Sequence, residues 1–257
     1  MNDPQEEKMP FTSHLEELRT RLMRSAVAVG IVFVACYLVK ERLFELLTLP
    51  LTVAMPDNSS MIFTSLPEAF FTYLKISFFA AIFLSCPYLL YQLWKFISPG
   101  LYEQERKYVV PFVIFSTIFF LGGALFAYYV VFPFGFKFFL AFGTESIRPM
   151  LTLKEYLSFS LKLLLAFGVI FELPIFMFFL AKAGLVNSKV LKQKRKYAIL
   201  LVFVTAALFT PPDVVTQILM AGPLMLLYEI SVWVVRAGEK KAAKKNAEDI
   251  EETESNI

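Results

Sequence analysis

Apolar residues fall along this chain in six blocks separated by polar segments. Crossing a bilayer core of about 30 Å takes about 20 helical residues, and most of the blocks are close to that length. Each block therefore predicts a transmembrane helix, and we expect an all-α membrane protein with six spans. The predicted spans are Leu22–Val39, Phe70–Trp94, Tyr108–Phe132, Tyr156–Leu180, Tyr197–Phe209 and Val214–Val235.

The last two spans are predicted to be short. Tyr197–Phe209 has about 13 residues, or about 20 Å at the helical rise, which is less than the bilayer core. Gln217 and Pro223 interrupt the apolar run of the next block. A longer fifth helix, extended through Lys194–Lys196 with snorkelling side chains, is the alternative. The two spans are joined by residues 210–213, whose composition predicts a tight hairpin.

Proline occurs inside four of the predicted spans. Each proline removes a backbone donor and bends its helix, so we expect a curved bundle. The prolines are Pro87, Pro111, Pro174 and Pro223.

Composition agrees with this pattern and excludes an ordinary soluble domain. Mean hydropathy is +0.61 and 57% of residues are hydrophobic. We expect one membrane domain over residues 12–236, a flexible tail over 1–11 and a disordered charged tail over 237–257. No cleavable signal peptide is recognised, so the first span is expected to be retained.

The distribution of basic residues predicts the topology. Of the 25 Lys and Arg residues, 18 fall in the segments that share a side with the N-terminus in a six-span chain, and 5 fall in the opposite segments. Basic residues accumulate on the cytoplasmic side of membrane proteins. Both termini are therefore predicted to be cytoplasmic.

A charged segment immediately precedes the first span. Glu17 and Arg21 lie four residues apart, which allows an ion pair on one helical face. A solvated turn at the membrane surface is the alternative to a binding role. No second His or Cys accompanies the only histidine, so a metal site is not expected. The charged residues of this segment are His14, Glu16, Glu17, Arg19 and Arg21.

A second cytoplasmic segment carries carboxylates on the same predicted side as Glu17. It places Phe96 before a Pro-Gly turn and Glu103 and Glu105 after it. Arginine binds carboxylates strongly and in a bidentate manner. A ligand with two guanidinium groups would suit these residues.

Four motifs, in order along the chain, resemble the TatC family, the large polytopic subunit of the twin-arginine protein translocase. The first is Ser-His-Leu-x-Glu-Leu-Arg-x-Arg-Leu in the N-terminal charged segment, and the second is the loop containing Phe96 and Glu105. The third is the span segment ending in Glu172-Leu173-Pro174, and the fourth is Thr210-Pro211-Pro212-Asp213 with Gln217.

The resemblance implies a receptor and not an enzyme, with no cofactor and no nucleic-acid partner. TatC proteins recognise signal peptides with consecutive arginines on folded cargo, and they assemble with TatA-like and TatB-like single-span proteins and with other copies of themselves. The proton-motive force drives export across the inner membrane. By position, Glu17 and Glu105 would contact the arginines and Phe96 would shape the site. Residues of less certain role in the same motifs are His14, Arg19, Arg21 and Glu103.

Ionisable and polar residues also occur in the later spans. Glu172 is predicted to lie inside the membrane, where a carboxylate is costly and indicates function; a structural hydrogen-bond acceptor is the alternative. Lys162 is about 15 Å away along the helix, too far for a direct pair, and Glu229 has no identifiable partner. The resemblance implies that a polar patch docks the transmembrane helix of a partner, and its residues are Thr210, Asp213 and Gln217.

Two other functions are alternatives to the translocase. A proton-coupled small-molecule transporter could use Glu172, but it would be expected to show repeats and paired broken helices, which the sequence lacks. An intramembrane protease is excluded as a zinc enzyme by the single histidine, and the sequence has no Gly-x-Ser-x-Gly motif.

Overall fold

The computed structural model describes residues 11–55, 61–97, 109–144, 150–209 and 214–255. These residues are almost entirely helical, and a π-helical turn, Ala127–Val131, lies between the fourth and fifth α-helices. The α-helices are α1 (Phe11–Leu38), α2 (Lys40–Ala54), α3 (Glu68–Ile97), α4 (Val109–Phe126), α5 (Phe132–Leu140), α6 (Leu153–Phe171), α7 (Leu173–Lys182), α8 (Ser188–Gln193), α9 (Arg195–Phe209) and α10 (Val214–Ser255).

Five helical stretches in the described part of the chain are long and apolar enough to cross a membrane. The all-α, multi-span architecture predicted from the sequence is therefore confirmed. The sixth span and the cytoplasmic placement of the termini remain predictions, as does the curvature of the bundle. The five stretches are Ser13–Leu38, Glu68–Ile97, Val110–Leu140, Leu153–Lys182 and Val214–Lys241.

The two helices that follow α8 differ in length. Helix α9 has 15 residues, about 22 Å at the helical rise, so it is short as predicted. Helix α10 is a single helix of 42 residues, and the prediction of a short last helix was wrong. Gln217 and Pro223 do not interrupt it, because polar residues and proline are tolerated where neighbouring groups satisfy the backbone.

Helix α10 continues to Ser255, through most of the segment 237–257 that we expected to be disordered. This segment is rich in Ala, Lys and Glu, which are strong helix formers. Its first turn is also held by tertiary contact, because the carboxylate of Glu239 accepts hydrogen bonds from the backbone and hydroxyl of Ser188.

The prolines of the spans affect the helices differently. Pro174 coincides with the interruption between α6 and α7, whereas Pro87 and Pro223 lie inside continuous helices. Pro111 lies in the first turn of α4, where no intrahelical donor is lost. Pro50 lies inside α2, a helix that the sequence did not predict.

The chain divides into two compact units. The first comprises Met1–Phe44 and Tyr73–Thr117. Within it, Trp94 on α3 donates a hydrogen bond from Nε1 to Oγ of Ser116 on α4, at 3.1 Å, and its ring stacks on Phe112 at 4.9 Å. These contacts join the ends of α3 and α4 that lie next to the candidate site described below.

The second unit comprises Glu45–Thr72 and Ile118–Ile257. Helices α4 and α6 approach closely at Gly123, where a Cβ atom would lie 2.4 Å from the carbonyl oxygen of Phe167. Small residues permit such crossings between membrane helices. The rings of Phe126, Phe167 and Phe171 pack around this crossing.

The second unit also joins the segment that precedes α3 to the segment that precedes α6, on the side opposite the predicted cytoplasmic face. Ile62 pairs with Thr152 in a short parallel bridge. The buried carboxylate of Glu68 accepts hydrogen bonds from the backbone amides of Thr64, Ser65 and Lys154, at 2.7, 3.3 and 2.9 Å. Glu68 therefore connects the start of α3 to the start of α6.

Candidate functional site

The N-terminal charged segment is the first part of α1. This helix already includes Phe11, so Ser13 lies within it. Along α1, residues three and four apart share a face. His14, Glu17 and Arg21 follow this spacing, and the structure brings all three into one set of contacts with α3.

Arg21 is the centre of these contacts. Its Nε donates to Oε1 of Glu17 at 2.9 Å, and its Nη2 contacts the same oxygen. Its Nη1 donates to Oε1 of Gln92 at 3.3 Å, and Gln92 in turn donates to the hydroxyl of Tyr88 at 2.7 Å. The side chains of Arg21 and Glu17 are 13% and 23% exposed, so the pair is only partly screened by solvent.

The second oxygen of Glu17 has a different environment. Oε2 is buried and makes no hydrogen bond to any described residue; Nδ1 of His14 lies 3.8 Å from it. The imidazole of His14 stacks on Phe96 with ring centroids 4.3 Å apart. The predicted residues His14, Glu17, Arg21 and Phe96 therefore form one site, with an available acceptor at its centre.

An open pocket of about 270 Å³ lies along this face of α1. It is lined by polar and charged residues of both signs, which suits a charged ligand better than an apolar one. Arg19 does not line the pocket; it is exposed and makes no ion pair with the described residues. The lining residues are Ser13, Glu16, Glu17, Thr20, Arg21 and Arg24.

Glu103 and Glu105, the predicted carboxylates of the second cytoplasmic segment, lie outside the described residues. Of that segment, the structure describes Phe96 and the preceding end of α3. The pairing of Glu17 with a second carboxylate therefore stays a prediction.

Glu172 lies at the junction of α6 and α7. Its backbone NH bonds to the carbonyl of Val169, and its own carbonyl accepts from Phe176. The side chain is half-buried. Glu172 precedes the end of α7 at Lys182 by about 15 Å of helix, so the structure agrees with a carboxylate set well inside a membrane-crossing stretch. Its functional role stays a prediction.

The predicted docking patch is only partly described. Thr210 and Asp213 lie outside the described residues. Gln217 donates from Nε2 to the backbone carbonyl of Phe203 at 3.1 Å, so its amide joins α10 to α9. Exposed apolar side chains occur on both helices of this hairpin, including Leu208 of α9 and Ile218 of α10 at 78% and 58%. This surface is largely apolar, with one amide partly engaged inside the chain.

Glu229, for which the sequence offered no partner, pairs with Arg195 at the start of α9. Nη2 of Arg195 donates to Oε2 of Glu229. The two side chains are about half exposed, at 50% and 51%. The pair closes the end of the α9–α10 hairpin opposite Gln217.

Sequence reasoning missed three polar residues that the structure engages in side-chain hydrogen bonds. Gln92 and Tyr88 position Arg21, and Glu68 joins the loops of the second unit. Buried polar residues in apolar helices are the signal that could have identified them, since such groups need partners. Among the described residues, no group of three or more His, Cys, Asp and Glu side chains could hold a metal ion.

Comparison with known proteins identifies the family. The family model for the Sec-independent protein translocase protein (TatC) matches residues 13–223. The Sec-independent protein translocase proteins TatC of Desulforapulum autotrophicum and Magnetococcus marinus are similar to this chain. They are 55% and 48% identical to it, over 98% and 96% of this chain and 92% and 91% of their own.

Two solved structures have the same fold. Both are described as the twin-arginine translocase receptor TatC, one of them in DDM, with TM-scores of 0.76 and 0.79. They are 41% and 40% identical to this chain, and cover 86% and 87% of it and 97% and 99% of their own chains. The match of the family model over most of the chain, together with these identities, shows that this chain belongs to the TatC family.

Proposed function

We propose that this chain is the receptor and core subunit of a twin-arginine translocase. It binds the Arg-Arg signal peptides of folded cargo at the cytoplasmic face of the inner membrane. This is a binding and assembly function, not an enzymatic one. Family membership and the two solved receptor structures support it. The concentration of Lys and Arg in alternate segments supports the cytoplasmic placement of both termini.

The Glu17 carboxylate gives the strongest support for this proposal, because its two oxygens have different environments. Oε1 is occupied by Arg21, whereas Oε2 is buried and makes no hydrogen bond to a described residue. A buried carboxylate oxygen without a donor is costly, and a guanidinium from a ligand would satisfy it. The stacked rings of His14 and Phe96 lie beside this oxygen and offer a flat surface for a planar guanidinium.

Glu105 supplies the second carboxylate of the proposed site and binds the other arginine of the signal. Glu103 is the less favoured candidate for that role. Arg21 has a supporting role, because its positive charge partly neutralises the Glu17 carboxylate. Arg19 lies on the exposed side of α1 and contributes to the potential of the cytoplasmic surface.

The later helices serve assembly in this proposal. TatA-like and TatB-like single-span proteins, and other copies of this chain, pack against the exposed apolar faces of the helices. Thr210, Asp213 and Gln217 provide the polar contacts at the α9–α10 hairpin. Glu172 is the intramembrane polar group beside the signal peptide or a partner helix. The transmembrane proton-motive force drives transport.

The alternative function, a proton-coupled small-molecule transporter that uses Glu172, is not supported. The family match, the relatives and the solved structures all belong to the translocase, and Glu172 on its own does not specify a transport cycle.

Binding of a signal peptide to the purified full-length protein in detergent tests the proposal. The Glu17→Gln variant keeps the size of the side chain and removes its charge. We expect it to weaken binding of an Arg-Arg peptide by at least about tenfold, as loss of a close charge pair does. Glu105→Gln should act in the same direction. Glu41→Gln, an exposed carboxylate at the start of α2, is the matched control and should bind normally.

A Lys-Lys peptide gives the second comparison. The wild-type protein should prefer the Arg-Arg peptide, because only arginine binds a carboxylate through two parallel hydrogen bonds. If the Glu17→Gln variant keeps both its affinity and this preference, the site at Glu17 is wrong.

A further inference from the structure

The segment between α7 and α9 is the most basic stretch of the second unit. Residues 182–196 contain six Lys and Arg residues and neither Asp nor Glu. Basic loops of this kind are usually interpreted only as a topology signal, which requires no fixed geometry. In this structure, however, the loop has a defined position against α10.

Three contacts fix the loop. Leu191 of α8 is buried against Val232 and Val235 of α10. The hydroxyl of Tyr228 donates to the carbonyl of Leu191 at 2.6 Å. The carboxylate of Glu239 accepts from the backbone NH of Ser188 at 2.7 Å and from its hydroxyl. The lysines of α8 therefore project from a rigid platform.

We define the basic surface as Lys189, Lys192, Lys194 and Lys196 with the neighbouring Arg236 and Lys240 of α10, all of which are exposed. The nearby carboxylates are already engaged: Glu239 binds Ser188, and Glu229 binds Arg195. Neither carboxylate is therefore directed at the lysines. The charge of Glu239 remains, but the six cations outnumber it, and the basic surface keeps a net positive charge that attracts anions.

Apolar and aromatic groups lie among these charges. Leu185 and Val190 are 72% and 41% exposed. The Nζ atoms of Lys194 and Lys196 lie 5.2 and 5.1 Å from the centre of the Tyr197 ring. Exposed aliphatic side chains, tyrosine and long cationic side chains together are typical of the boundary between lipid chains and headgroups.

The basic surface also lies at the correct depth for such a boundary. The membrane-crossing stretch that contains α7 ends at Lys182. The lysines of α8 follow directly after this end. Side chains at this level meet the phosphate groups of the lipid surface.

We propose that the basic surface binds the headgroups of anionic phospholipids and so anchors the α7–α9 loop at the membrane surface. The exposed Leu185 and Val190 enter the outer part of the lipid layer, and the lysines contact the phosphates. An acidic polypeptide would satisfy the charges, but it would leave these apolar side chains in water. This function is separate from signal-peptide recognition at Glu17.

The test compares phosphatidylglycerol with phosphatidylcholine, each added to the full-length protein in a non-ionic detergent, with bound lipid counted by native mass spectrometry. The triple variant Lys189→Gln, Lys192→Gln and Lys194→Gln should bind phosphatidylglycerol about tenfold more weakly, because each cation at the surface contributes to attraction. Binding of phosphatidylcholine should not change. The charge-matched control carries Arg42→Gln, Lys137→Gln and Lys154→Gln, all exposed and outside the basic surface.

Normal binding of phosphatidylglycerol by the control and weak binding by the triple variant would support the proposal. Raising the salt concentration from about 0.1 M to about 1 M should weaken wild-type binding, since the screening length falls from about 10 Å to about 3 Å. Equal losses in both triple variants, or no loss in either, would overturn it. If the triple variant of the basic surface binds phosphatidylglycerol normally but no longer binds an added peptide of the acidic residues 246–257, the surface binds a polypeptide. That result would also overturn the proposal.

Discussion

Arg21 contacts Glu17 through one carboxylate oxygen only, while the amide of Gln92 accepts from another nitrogen of the same guanidinium. A guanidinium and a carboxylate favour a bidentate pair through both oxygens. If Gln92 did not accept from Nη1, we would expect Arg21 to bind Glu17 in that way. Gln92 therefore positions Arg21 so that Oε2 of Glu17 stays available for a ligand.

The first prediction concerns Gln92. The Gln92→Leu variant removes the acceptor for Nη1 of Arg21, and the guanidinium should then turn onto both oxygens of Glu17. Because a hydrogen bond to a charged group is worth about 1.5–3 kcal/mol, we expect about tenfold weaker binding of an Arg-Arg peptide. Peptide titration with the purified variant measures this.

The conservative variant Gln92→Glu distinguishes positioning from a merely structural role. A carboxylate at this place holds Arg21 more strongly than an amide does, so peptide binding should return to the wild-type level or exceed it. If Gln92→Leu and Gln92→Glu lower affinity equally, Gln92 does not position Arg21.

The second prediction concerns Glu68 in the second unit. Its two oxygens accept from Thr64, Ser65 and Lys154, and the side chain is only 5% exposed. Glu68→Ala removes the acceptor of these partly buried hydrogen bonds, and a hydrogen bond to a charged group contributes about 1.5–3 kcal/mol to stability. The variant should therefore unfold at a clearly lower temperature in detergent.

Glu45→Ala is the matched control, since Glu45 is exposed on α2 and should change stability by less than about 0.5 kcal/mol. Hydrogen exchange adds a local readout: the amides of Thr64 and Lys154 should exchange faster in Glu68→Ala. Equal unfolding temperatures for the two variants would contradict the role given to Glu68.

Features that depend on residues close together in the sequence could be predicted. The spans come directly from long apolar blocks, because the bilayer requires them. The pairing of Glu17 with Arg21 follows from a separation of four residues. These features depend on neighbouring positions, and the structure agrees with five of the six predicted spans and with this pair.

Interactions between distant residues could not be predicted in the same way. Arg21 and Gln92 are 71 residues apart, and Lys154 and Glu68 are 86 apart. Which polar groups meet across helices depends on packing, which a single sequence does not specify. Helix α2 was not predicted from the sequence, and it accommodates Pro50 in its interior.

The third prediction concerns two adjacent glycines of α4. A Cβ atom at Gly123 would lie 2.4 Å from the backbone oxygen of Phe167, whereas one at Gly122 meets nothing within 4 Å. Gly123→Ala must push α4 away from α6, which we expect to destabilise the protein by about 1–3 kcal/mol. Thermal unfolding in detergent measures the change.

Gly122→Ala controls for helix propensity. Alanine favours a helix over glycine by about 1 kcal/mol at either position, so the difference between the variants isolates the steric clash. Gly122→Ala should be neutral or stabilising. A Gly123→Ala protein as stable as Gly122→Ala would show that the close crossing of α4 and α6 is not required.

The last prediction concerns the α9–α10 hairpin. Gln217→Leu removes the hydrogen bond to the carbonyl of Phe203, which in a membrane helix pair contributes about 0.6–2 kcal/mol. We expect the variant to remain folded but to recover less of a TatB-like single-span partner on co-purification, because the polar contact of the proposed docking surface is lost. Ile218→Leu, a nearby exposed apolar change, should leave recovery unchanged. If both variants recover wild-type amounts of the partner, Gln217 serves only to hold α9 against α10, and partner helices dock elsewhere.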